Sequence, residues 1–130
     1  MPIRIVRLGT ARAAGEGLRI GTVRRPPRGV PKSRFAADDW YDVWYPKLAP
    51  SVPVMKLAQA ASSDAQWLAF ARAYRREMAA PDAAHSIALL AALSAHADFA
   101  LGCYCADETR CHRAILRELL REAGAVFAPD

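Results

Sequence analysis

Between Phe99 and Ala123 the chain reads FALGCYCADETRCHRAILRELLREA, and its character changes twice along the way. The first residues are apolar without alternation, which is typical of a central strand that is buried on both faces. The last third repeats apolar residues at helical spacing. All three cysteines, a histidine and an arginine lie between these two parts. A strand, a polar loop and a helix in this order predict an α/β fold with a ligand site where the strand ends.

The rest of the chain shows the same succession of strand and helix patterns. We predict strands over residues 3–8, 18–23, 99–105 and 125–127, and helices over residues 52–61, 65–80 and 81–96. Asp107 is predicted to cap the last helix, and Gly124 to end it. This order predicts a three-layer α/β/α arrangement with a small, mainly parallel sheet, in a single domain over residues 1–130.

Composition narrows the class of protein. The chain has 130 residues, of which 53% are hydrophobic and 24% charged, as in ordinary globular domains. No apolar run approaches the ~18–20 residues that span a bilayer, so no membrane association is predicted. The N-terminal MPIRIVR lacks the apolar core of a signal peptide, which predicts a cytoplasmic protein. Three cysteines are an odd number, so buried thiols, metal ligands or a reactive thiol are expected instead of disulfides.

The charge balance indicates the kind of partner. The formal net charge is +5, and the pI is about 9.5. A basic surface favours acidic or phosphate-rich partners, which leaves an anionic small molecule and a nucleic acid as alternatives.

The cysteine loop supports three interpretations. In the first, Cys111 lies in the first turn of a helix, where amides and arginines stabilise a thiolate, so Cys111 is a candidate nucleophile and His112 a candidate proton shuttle. Cys105 and Arg113 are candidate ligand-binding residues beside them. In the second, the cysteines and His112 hold a zinc or iron ion. In the third, the small thiols pack in the core.

A second candidate element follows the second predicted strand, where the chain reads RRPPRG from Arg24 to Gly29. Prolines stiffen this loop, and guanidinium groups bind phosphate or carboxylate in a bidentate manner. In a parallel sheet the loop emerges at the same edge as the cysteines, so Arg24 and Arg28 are candidate anion ligands. Trp40 belongs to a dense aromatic segment, residues 40–45, that suits base stacking, core packing or a homodimer contact.

An ordered set of motifs gives the chain a family resemblance. The motifs are Pro27-Arg28-Gly29, Asp39-Trp40-Tyr41-Asp42, Leu48-Ala49-Pro50-Ser51, and Trp67, Phe70 and Tyr74 at helical spacing. The chain resembles the YeaO-like family, small bacterial proteins of unknown function, over roughly residues 3–124. The segment from Cys105 to Arg113 is similar to the broader domain-of-unknown-function group that contains this family.

The resemblance implies a three-layer α/β/α fold and no established reaction. The loop of the family typically reads DRLWPRG, and this chain has VRRPPRG from Val23 to Gly29. Arg24 and Arg28 match that pattern, whereas the acidic residue and the tryptophan are absent.

We favour a binding or catalytic domain for a phosphorylated or otherwise anionic small molecule. Arg24, Arg28 and Arg113 would bind the anion, with Cys111 and His112 at the reacting centre. This interpretation predicts no cofactor. A nucleic-acid-associated module and a cysteine-based metal-binding domain are the alternatives.

Overall fold

The computed structural model describes residues 2–129, and their elements alternate along the chain as an α/β protein requires. The strands are β1 (Ile3–Arg7), β2 (Leu18–Gly21), β3 (Val43–Trp44) and β4 (Phe99–Cys103). The helices are α1 (Val52–Ala60), α2 (Asp64–Met78), α3 (Pro81–Leu93) and α4 (His112–Glu122). Short 3-10 turns occupy Lys32–Arg34, Pro46–Leu48 and Glu108–Arg110.

The four strands form one parallel sheet in the order β1-β4-β2-β3. Every residue of β4 is buried, which explains why its sequence is continuously apolar and does not alternate. The predicted α/β class is confirmed, with a four-stranded, all-parallel sheet flanked by four helices. All carboxyl ends of the strands therefore lie at one edge of the sheet.

The two faces of the sheet are covered differently. Ile3, Phe99 and Leu101 share one face, where apolar side chains from all four helices join them in one core. On the other face, loops approach the strands closely. A Cβ atom at Gly21 would lie 2.4 Å from Cδ2 of Tyr41, so only glycine lets that ring pack on β2. Loops thus make up much of the covering of this second face.

A buried ion pair holds these loops together. The side chain of Arg19 on β2 is fully buried and donates to both carboxylate oxygens of Glu16, at 2.8 and 2.9 Å. It also donates to the backbone carbonyls of Thr10 and Asp39, at 2.8 and 2.7 Å. Gly9 donates its amide to the same Asp39 carbonyl. Arg19 therefore fastens the loop after β1 to the loop before β3.

The boundaries differ from the sequence prediction where short-range polar contacts decide them. Asp107 does not cap the last helix, because its carboxylate accepts from the amide of Thr109 and caps a 3-10 turn instead. Cys111 takes the N-cap position of α4. The predicted strand at residues 125–127 is reduced to one bridge between Ile3 and Phe127.

Other boundaries agree or shift by a few residues. Ser51 and Ser63 cap α1 and α2 through their side chains. Gly124 follows α4 with a φ of 90°, as predicted. β3 is only two residues long and was not predicted, because so short a strand has no periodic pattern. Within residues 2–129, the helices are all too short or too polar to cross a membrane.

The buried pair predicts a specific acid sensitivity. Burial acts to raise the pKa of Glu16, but hydrogen bonds from Arg19 and from the Ala13 amide outweigh it, so the pKa lies below its ordinary value. The stabilisation is then complete above about pH 4 and is lost as the pH falls through the lower, folded-state pKa. We expect Glu16→Gln to lower the free energy of unfolding at pH 7 by about 3 kcal/mol, because it leaves the Arg19 charge buried without a counter-charge.

Denaturant titrations between pH 7 and pH 2 measure this effect. Asp38→Asn is the matched control, because it breaks an exposed pair with Arg34 that contributes under about 1 kcal/mol. Equal losses of stability in the two variants at pH 7 would contradict the role of the buried pair.

Candidate functional site

The candidate site lies at the carboxyl edge of the sheet, where three neighbouring strands end. β1 ends at Arg7, β4 at Cys103 and β2 at Gly21. β4 lies between the other two, so the segment that follows it is bordered by the loops that leave β1 and β2. This is the position at which open parallel sheets bind ligands.

Two of the three cysteines meet directly behind this edge. The sulphur atoms of Cys103 and Cys111 are 2.7 Å apart, and both residues are only 2% exposed. Cys105 is exposed, and its amide donates to the sulphur of Cys103 at 3.4 Å. The end of β4 and the start of α4 are thus in contact through the free thiols of Cys103 and Cys111. Cys105 is the cysteine that solvent reaches.

The hydrogen bonds of His112 fix the form of its imidazole ring. Nε2 lies 2.8 Å from the backbone carbonyl oxygen of Thr22, which can only accept, so Nε2 carries a proton. The other ring nitrogen, Nδ1, lies 3.8 Å from the sulphur of Cys111. The ring also packs edge-on against Tyr74, with centroids 5.5 Å apart. The residue that follows β2, Thr22, therefore holds the imidazole ring of His112 beside the thiols.

Arg113 completes the cluster from the first turn of α4. It is 3% exposed, its Nε lies 3.5 Å from the sulphur of Cys111, and its Nη2 donates to the carbonyl of Cys105 at 2.5 Å. A guanidinium beside sulphur and at a helix N-terminus favours the thiolate form.

The thiols shift one another's pKa values in opposite directions. Hydrogen bonds with Cys105 and Cys111, together with burial, raise the pKa of Cys103 far above its ordinary value. Hydrogen bonds from Cys103 and Cys111, with the charge of Arg113, lower the pKa of Cys105 to about 3. The pKa of Cys111 is also lowered, through its hydrogen bond with Cys103 and its contact with His112.

Two adjoining clefts open at this edge. The Arg cleft has a volume of about 620 Å³ and is lined by Arg7, Leu8, Gly9, Thr10, Arg25, Pro26, Pro27, Arg28, Trp40 and Tyr104. The Cys cleft has a volume of about 280 Å³ and is lined by Val23, Arg24, Arg25, Val52, Met55, Lys56, Gln59, Cys103, Tyr104, Cys105 and His112. Arg25 and Tyr104 line both clefts, so the two share a wall.

The residues predicted from the sequence are distributed over these features. Arg28 and Trp40 line the Arg cleft, and Arg24, Cys105 and His112 line the Cys cleft. Arg24 already donates to the carbonyls of Ala49 and Pro50, so most of its guanidinium holds α1 in place. Cys111 and Arg113 lie behind the surface, in contact with Cys103 and Cys105.

Sequence reasoning missed several contributors. Arg7, Arg25 and Tyr104 line the Arg cleft, and the carbonyl of Thr22 orients His112. Arg25 could have been predicted, because it lies between Arg24 and the prolines of the predicted anion-binding loop. The contact of Thr22 could not have been predicted, because it is made by the backbone carbonyl, a group that every residue has.

The fold and the cluster define an α/β domain with a thiol, imidazole and guanidinium site at the carboxyl edge of a parallel sheet. Residues 3–124 match the family DUF488-N3a, described as the active DUF488-N3 subclade, and the protein belongs to this family. The predicted domain-of-unknown-function group is thereby confirmed, whereas the finer YeaO-like assignment stays a prediction. Neither the curated proteins nor the solved structures gave a significant match.

The burial of the thiols predicts their order of reaction with iodoacetamide. We expect Cys105 to be alkylated first in the folded protein, and Cys103 and Cys111 only on unfolding. Because the pKa of Cys105 is lowered to about 3, its alkylation persists at pH 5, where a cysteine of ordinary pKa, about 8.5, reacts far more slowly. Peptide mass spectrometry after timed labelling measures this, with Cys105→Ser as the control. Equally fast labelling of Cys111 would contradict the arrangement.

Proposed function

We propose that this protein binds a phosphorylated or otherwise anionic small molecule in the Arg cleft and acts on it with the thiols of the Cys cleft. The observation that carries the proposal is the shared wall: three arginines line one cleft, and two cysteines and a histidine line the next. A ligand whose anion lies among the arginines can therefore extend past Tyr104 to the sulphur atoms. The description of the family as an active subclade supports a reaction as well as binding.

The arginines of the Arg cleft are suited to hold an anion. Arg25 and Arg28 are exposed, and neither side chain has a partner within residues 2–129. Among residues 2–129, no aspartate or glutamate lines the cleft and competes for these cations. In this proposal Arg28 keeps the role predicted from the sequence, and Arg25 takes over the anion contact because Arg24 is bound to backbone carbonyls.

The cysteine cluster supplies the parts of nucleophilic catalysis. Such a site needs a thiol, a base in contact with it and a group that orients the base. Here His112 contacts Cys111, and the Thr22 carbonyl orients His112. Cys105 is the thiol that a ligand reaches from the cleft, and Cys111, predicted as the nucleophile, would act through its hydrogen-bonded contact with the other sulphurs.

Pyrophosphate binding tests the anion site. We expect Arg28→Ala to weaken binding of inorganic pyrophosphate roughly tenfold, since it removes a charged hydrogen bond. Arg72→Ala is the matched control, because Arg72 is equally exposed on α2 and lines neither cleft. Isothermal titration calorimetry at fixed salt measures both, after thermal unfolding has shown that the variants are folded. Equal affinity in the two variants would contradict the proposal.

A metal centre is a second candidate function, and one observation favours it. The ligand atoms of Cys103, Cys111 and His112 all lie within 4.8 Å of one another. Two thiolates and an imidazole are ligands that zinc prefers, and zinc-binding histidines commonly donate their other ring nitrogen to a carbonyl, as Nε2 does to Thr22. Cys103 and His112 line the Cys cleft, so a metal held there would face it.

Elemental analysis decides between a metal centre and free thiols. A metal centre predicts about one zinc or iron per chain in protein purified without chelators, lost in Cys103→Ser and His112→Ala. Cys105→Ser is the control that keeps the three buried ligands. If the protein carries no metal after incubation with Zn²⁺ and dialysis, and Cys105 is alkylated, the metal centre is excluded. The proposal of free, reactive thiols is then the one that stands.

A further inference from the structure

The Arg cleft carries two features that the binding of a simple anion leaves unused. One is a pair of aromatic side chains, Trp40 and Tyr104, and the other is a wall formed by Pro26 and Pro27. We propose that the ligand of this cleft is a nucleoside phosphate, with its base on Trp40 and its phosphates on Arg25 and Arg28. This inference rests on the proposed function and names its substrate class.

Trp40 is held in one orientation before any ligand arrives. Its ring packs on Gly9, where an added Cβ would lie 2.8 Å from the indole Cζ3, and Gly9 has a φ of 87° that favours glycine. Tyr104 meets the ring edge-on, with centroids 5.9 Å apart and planes inclined by 72°. Trp40 nevertheless stays partly exposed and lines the cleft. A rigid, partly exposed indole is a stacking surface that loses little entropy on binding.

Tyr104 is fixed from two sides. Its hydroxyl donates to the carbonyl of Arg25 at 2.8 Å, and its own carbonyl accepts from Nε of Arg7 at 3.3 Å. The aromatic pair is therefore tied to the end of β1, which supplies Arg7, and to the backbone of the loop that supplies Arg25 and Arg28. The stacking surface thus lies next to the chain segments that carry the cations, as recognition of a molecule with a planar ring at one end and phosphate at the other requires.

The polar groups of the lining exclude other phosphorylated molecules. A sugar phosphate presents hydroxyl groups that carboxylates and amides recognise, and in the described part of the chain no Asp, Glu, Asn or Gln side chain lines the cleft. Its two hydroxyl groups already donate to backbone carbonyls, Thr10 to Arg7 and Tyr104 to Arg25. What remains is aromatic surface, apolar proline and guanidinium. That set favours a base and a phosphate over a polyhydroxylated ligand.

The lining also predicts how the site discriminates among nucleotides. With no side-chain amide or carboxylate to read the edge of a base, it recognises the ring by stacking alone, so adenine and guanine nucleotides bind with similar affinity. A second phosphate adds charge beside the arginines, so a nucleoside diphosphate binds more tightly than the monophosphate. The volume of about 620 Å³ lies within the range of small-molecule sites, so we assign a free nucleotide to the cleft.

Calorimetric comparison of ADP, ribose 5-phosphate and pyrophosphate tests the inference. We expect ADP to bind roughly tenfold more tightly than pyrophosphate, and Trp40→Leu to abolish that difference by weakening the binding of ADP far more than that of pyrophosphate. Trp40→Phe restores most of the difference, because phenylalanine also stacks. If the leucine variant does not fold, the comparison of ADP with pyrophosphate on the unsubstituted protein still tests the inference. Trp67→Leu is the matched control, since Trp67 lies on α2 and lines neither cleft.

The outcomes separate this inference from the proposed function. Equal affinity for ADP and pyrophosphate, with no selective effect of Trp40→Leu, would overturn the nucleotide assignment and leave the anion site standing. No binding of any of the three ligands would overturn both. A 5′-phosphorylated oligoadenylate that binds more tightly than ADP, with a steep salt dependence, would overturn the free nucleotide in favour of a nucleic-acid strand.

Discussion

The arrangement of this protein depends on Arg19, a charged side chain buried where a sheet residue would ordinarily be apolar. Helices cover one face of the sheet and satisfy their own backbone groups, but the loops on the other face leave carbonyls that need donors. Arg19 supplies these donors to Thr10 and Asp39, and Glu16 balances its charge. This guanidinium joins the loop that carries Gly9 to the loop that carries Trp40, and Arg12, which bonds Asp39 and Asp42, adds a second connection. The contacts that shape the Arg cleft therefore lie on the face of β2 opposite to the helical core.

The cysteine cluster follows from the fold in a different way. β4 is an inner strand, parallel to both of its neighbours, so Cys103 at its carboxyl end lies between the ends of β1 and β2. α4 then begins at the same place, and its first residues present Cys111, His112 and Arg113 to that point. Cys111 is the extended N-cap residue of α4, and the side chains of His112 and Arg113 both contact its sulphur. Thr22, which follows β2, contributes the carbonyl that orients the imidazole.

Much of this was predictable from the sequence, for reasons that differ between elements. β4, α2 and α3 have strong periodic or continuous apolar patterns, so their existence and type follow from residue order alone. The convergence of the arginine loop and the cysteine loop followed from the parallel sheet. The N-cap residue of α4 could not be predicted, because Asp107 and Cys111 both precede the helical pattern and only the local hydrogen bonds decide between them. The sequence also did not predict that Cys105 is exposed and Cys111 buried, because this difference depends on β4 ending at Cys103. The part played by Arg19 was invisible, since an arginine on a strand ordinarily indicates a solvated face.

The contact between Cys103 and Cys111 brackets a short segment, residues 104–110, that is anchored at both ends and largely exposed between them. Its first residue, Tyr104, supports the Arg cleft, whereas Asp107, Glu108 and Thr109 form the turn that leads into α4. Glu108 also accepts hydrogen bonds from Arg117 on that helix. Substitutions that change the charge of this turn therefore leave the contact between Cys103 and Cys111 intact, because neither sulphur belongs to the turn.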